Sequence, residues 1–98
     1  MLGWRRWWAS TGLPALRVMA VEHWDPQNIY DDASRADAYD AYLERVGRML
    51  RRGKGAEEIA RYLGDVRTKA MRLEESELAV EAFADRVTAW YSLERPDA

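Results

Sequence analysis

Glu22, His23 and Asp25, followed by Asp31 and Asp32, are the side chains of this sequence whose types could do chemistry. Carboxylates and an imidazole can ligate a divalent ion, and a carboxylate beside a histidine can relay a proton. Their spacing argues against both. A hard-cation loop draws ligands from fixed alternate positions around a glycine turn, and the stretch WDPQNIYDD, Trp24 to Asp32, contains no glycine. Its acids read as helix caps and solvated charges, so no metal and no cofactor is expected. Without cysteine there is no thiolate nucleophile and no disulfide, and the sequence carries neither a glycine-rich phosphate cradle nor a serine elbow. The expectation is a non-catalytic protein.

A second stretch, EEIARYLGDVRTKAMRL, Glu57 to Leu73, resembles a helix-turn-helix, with Ala60 after an isoleucine and Gly64 opening the turn. On that reading Arg67, Lys69 and Arg72, with Thr68, face a DNA groove from the second helix. Two features oppose it. Asp65 occupies a place where the turn normally supplies an apolar contact, and the stripe from Ile59 to Leu73 passes through Gly64 in register, as in one unbroken helix. The net charge of −2 gives nucleic-acid binding no support, so DNA binding stands as the alternative function.

A third stretch is WRRWW, Trp4 to Trp8, which places three indoles on one side of a helix and two arginines elsewhere. That pattern fits a membrane or nucleic-acid contact, or a segment docked on the protein's own apolar surface. Translation from Met19 would remove the segment altogether. Residues 1–12 are accordingly read as an N-terminal extension, and residues 13–95 as one domain.

The elements that must position these residues follow from helical periodicity. Leu13, Leu16, Ala20 and Trp24 mark a first helix that ends before Pro26. Ala36, Tyr39, Leu43, Val46, Met49 and Leu50 mark a second, over about residues 33–52, capped by Asp31 or Asp32 and stopped at Gly53 and Gly55. Ile59, Tyr62, Leu63, Val66, Ala70 and Leu73 mark a third, with Glu57 and Arg61 paired four residues apart. Ala79, Val80, Phe83, Val87, Trp90 and Tyr91 mark a fourth, capped by Ser76 and stopped before Pro96. No segment alternates with period two. Four apolar stripes joined by short connections predict an all-α fold, a small antiparallel bundle of about four helices. Trp24 and Tyr30 are expected to fold inward from the first connection.

The charges alternate along the chain. Residues 1–20 hold three arginines and no acid, residues 22–44 seven acids against Arg35, residues 45–72 nine bases against three acids, and residues 74–98 seven acids against two arginines. The apolar runs are far too short to span a bilayer, which predicts a cytoplasmic protein without a transmembrane segment.

WDPQNIYDD, DAYDAYLERVGRMLRRG (Asp37 to Gly53), IARYLGDVRTKAM (Ile59 to Met71) and AWY (Ala89 to Tyr91) together resemble the YugE-like group of small uncharacterised helical bacterial proteins. The likeness spans about residues 15–91 and rests on the Trp24-Asp25-Pro26 turn, the Tyr39-Asp40 pair, the break at Gly53 or Gly55, and Thr68 before Met71. Ala70 stands where the group often has histidine, and Arg72 where it has glycine. The resemblance implies an all-helical fold, a bacterial source and an unbroken third helix, and it brings no activity with it.

Asp40 lies within a helix that is already capped, so capping does not account for it. Trp24, Asp25, Tyr39, Asp40 and Tyr42 are therefore the candidate recognition surface, and an interaction module with an unknown protein partner is the preferred function. Five tryptophans in so short a chain also point to a homodimer.

Overall fold

The computed structural model describes residues 3–96. Trp4–Trp7, Trp8–Gly12 and Leu13–His23 run on as a single rod, α1, whose middle piece is a π-helical turn. Proline explains that widening: Pro14 has no N–H to offer and its ring crowds the carbonyl one turn earlier, so the α ladder is interrupted just upstream. The wide turn also brings Trp7, Trp8 and Gly12 together on the buried side.

The second helix, α2, is Asp40–Arg51, and its first expected turns are absent. Residues 33–39 instead make a short 3-10 turn, Ala33–Arg35, and further single turns. Asp32 caps that turn by accepting the Ser34 N–H at 3.1 Å. The stretch Ala33 to Ala38 offers nothing larger than alanine to bury, and Ala36 is exposed. Tyr39, the first large side chain after it, is anchored in the loop, and the helix begins at the next residue. At its end Gly53 adopts φ +80, while the Gly53 and Lys54 N–H groups return to the Leu50 and Met49 carbonyls, both at 3.0 Å. That double closure requires a left-handed residue, which glycine supplies.

Ala56–Asp65 and the π-helical Val66–Ala70 form one continuous element, α3, with Gly64 inside it. The last helix, α4, is Glu77–Glu94. Ser76 stands at its N-cap position, but its side chain makes no capping bond. No strand occurs among the described residues, and the fold is a small all-α bundle of four helical elements.

The core draws on all of them. Leu16, Leu43, Val46, Ile59, Leu63, Phe83 and Val87 are sealed from solvent, with Trp7 and Trp8 joining from the start of α1. The α3 and α4 pair shares the largest contact, and α1 packs on both α4 and α2. Glycine permits the α1–α2 approach: a Cβ on Gly47 would lie 2.6 Å from the Trp8 ring. Trp8 Nε1–H in turn donates to the Glu44 carboxylate at 3.0 Å. Trp4 stacks on Trp8, and Trp7 on Trp90. Residues 4–12 are thus built into the bundle.

Candidate functional site

Trp24, Asp25, Tyr39, Asp40 and Tyr42 lie where α1, its following loop and α2 meet, and Trp24 and Tyr39 face inward. At Asp25 the chain leaves α1 with φ +31, and the carboxylate takes the Ile29 N–H at 2.8 Å and the Tyr30 N–H at 3.2 Å. The Tyr39 hydroxyl donates to the same carboxylate at 2.8 Å and accepts the Gln27 N–H at 2.9 Å. Burial, and then the adjacent Asp25 carboxylate, push the Tyr39 hydroxyl well above the usual phenol range, against the pull of the Gln27 amide. Trp24 stacks on Phe83 and meets Tyr39 and Tyr42, with its indole N–H buried and unpartnered. Asp40 binds Arg17 through two hydrogen bonds, the Nε contact being 2.9 Å.

These contacts correct the recognition-surface reading. Trp24 and Tyr39 are only 5% and 2% exposed, Asp25 is engaged by its own loop, and Asp40 is paired; Tyr42 alone is half-buried with no such bond. The inward residue at the end of the loop is Ile29, whereas Tyr30 is 70% exposed. Glu22 and His23 are neighbours at 3.7 Å, while both oxygens of Asp25 turn to the loop amides. Among the described residues, no three such side chains converge on one point.

The basic trio of the alternative reading is dispersed. Gly64 lies within α3, so the turn between two helices is not formed. Arg67 donates to the Glu74 carbonyl, Lys69 pairs with Asp65 at 3.5 Å, and Arg72 lies past the helix at φ +56.

What the structure adds is a cleft of about 610 Å³ between α3 and the start of α4. Ala56, Ala60, Gly64 and Thr68, each one turn after the last, lay a small-residue floor along α3, and Val80 of α4 and the longer Glu57, Arg61 and Asp65 also line the space. A Cβ on Gly64 would meet nothing within 4 Å. Glu75, Glu77, Glu81 and Asp85 border the cleft and make no ion pair among the described residues, while Glu57 and Asp65 are tied to Arg61 and Lys69. The signal was present in the sequence as four small residues at four-residue spacing, but pairing them with acids some twenty positions on required the docking of α4.

The class these observations define is a small helical bundle with an acidic, small-residue cleft. Comparison of the chain with family models, curated proteins and solved structures finds no match.

Proposed function

We propose that this is a non-catalytic interaction module of the bacterial cytoplasm whose α3–α4 cleft receives a basic segment of a protein partner. The observation carrying the reading is the cleft's construction, a floor of small side chains bordered by Glu75, Glu77, Glu81 and Asp85, which make no ion pair among the described residues. Ala56 to Thr68 spans roughly 18 Å at the helical rise, long enough to seat about three turns of a guest helix. The shallow floor admits a backbone closely, and the acids attract lysine and arginine from a distance that shortens as salt is added. The YugE-like resemblance is compatible with this reading, since it implies the same helical frame and brings no established activity with it.

The test is affinity capture from the source cell with the wild-type chain and with two cleft variants, G64L, which fills the floor, and E77K with E81K, which reverses the border. The reading expects a basic protein held by the wild type, released by salt and lost with both variants. Capture of the same proteins by all three chains refutes it.

A further inference from the structure

The face of α4 turned away from the core has no partner among the described residues. Leu78 and Leu93 are each 84% exposed, the most exposed of the large apolar side chains among the described residues, and Ala82, Asp85, Arg86 and Ala89 between them are exposed as well. At 100° per residue the two leucines and two alanines fall within one narrow stripe opposite the buried Val80, Phe83, Ala84 and Val87. With only alanines between the leucines on that line, the face leaves room for a second helix to lie along it.

The order of residues along the stripe identifies the occupant. Leu78 and Leu93 are equidistant from the Asp85–Arg86 step, and so are Ala82 and Ala89, so the apolar positions of the face read the same from either end while Asp85 and Arg86 exchange places as complementary charges. A two-fold axis at that step converts this symmetry into contacts: Leu78 meets Leu93 of the second copy, and Ala82 meets its Ala89. Two carboxylates and two guanidinium groups gather at the centre with no net charge. We infer that the chain forms a two-fold homodimer through antiparallel packing of α4 on α4, centred between Asp85 and Arg86. The central alanines allow the two axes to approach closely, and the leucines close the ends of the seam. A two-helix seam is smaller than a standard interface of about 800 Å² per partner, so the association is concentration-dependent.

The inference does not depend on the cleft reading, and it is tested on the purified full chain alone. Sedimentation equilibrium should show the 11.4 kDa mass at low concentration, doubling as concentration rises. L78E with L93E should hold the chain at the single mass. D85R alone, or R86D alone, gathers four like charges at the axis and should weaken association by about tenfold or more, whereas D85R with R86D restores two of each sign and should recover it. Circular dichroism on every variant confirms that the helices persist. Because the chain contains no cysteine, A82C with A89C gives a second readout: the two positions are about 10 Å apart along one helix, beyond disulfide reach, so oxidation should yield a covalent dimer. A single mass at every concentration, a dimer indifferent to L78E with L93E, no recovery in the charge swap, or no covalent dimer overturns the inference.

Discussion

Asp25 and Tyr39 show what a polar pair does when it is enclosed. Each atom of the pair has a backbone or side-chain partner, so removing one strands the others. Y39F leaves the Gln27 N–H without its acceptor and is expected to lower unfolding stability by about 1–2 kcal/mol; D25A removes three bonds and should cost more, both read by urea denaturation. The pH dependence follows from the direction of the Tyr39 shift. Its hydroxyl is held above the ordinary value of 10.0, and burial raises Tyr62 similarly. The unfolded chain therefore releases these protons first, so their contribution is full below about pH 10 and is lost as pH rises from there toward the folded values. Denaturation at pH 8 and pH 11 should show that loss, with a smaller difference in Y39F. Trp8 and Trp24 make a further contrast. W8F forfeits the bond to Glu44, whereas W24F removes an N–H that has no acceptor, so W8F should be the more destabilising of the two.

One substitution has opposite outcomes on two helices. Alanine in place of a helical glycine gains about 1 kcal/mol from backbone propensity alone. At Gly64 nothing opposes that gain, and G64A should stabilise the protein by up to that amount. At Gly47 the new methyl meets the Trp8 ring at 2.6 and 2.8 Å, and overpacking of about 1–3 kcal/mol outweighs the gain. G47A should therefore lower the melting temperature where G64A raises it. The sequence makes the helical stripes legible because periodicity is a local property: Leu16, Leu43, Val46, Ile59, Leu63, Val80, Phe83 and Val87 are buried as their spacing requires. It misplaces the start of α2, since Asp31 and Asp32 look like caps for a long helix and Asp32 caps only one 3-10 turn. It also reads the Trp24–Tyr42 cluster as a surface, because residue type does not say which way an aromatic side chain points. The cleft was hidden for a different reason, being a property of two helices that no single stretch contains.

At the scale of the whole molecule the tryptophans are accommodated without help. Trp7, Trp8 and Trp24 are buried, and Trp4 and Trp90 pack against the core within one copy. Indole content is therefore no argument for a dimer, and the case for one lies on the opposite face of α4. The same packing decides what the first residues do. A chain beginning at Met19 lacks Trp7, Trp8 and Leu16, and deleting a single large core side chain already costs about 3–5 kcal/mol. Such a chain should show no cooperative thermal transition by circular dichroism, while the full chain does.

The indoles of Trp4 and Trp8 lie 5.2 Å apart and within 9° of parallel, and those of Trp7 and Trp90 are 5.7 Å apart. Chromophores that close share their excited states, so the native protein carries a built-in optical beacon in the near ultraviolet. The Trp7–Trp90 couple exists only while the two ends of the chain are held together. Its signal therefore times their meeting during refolding, with no dye attached.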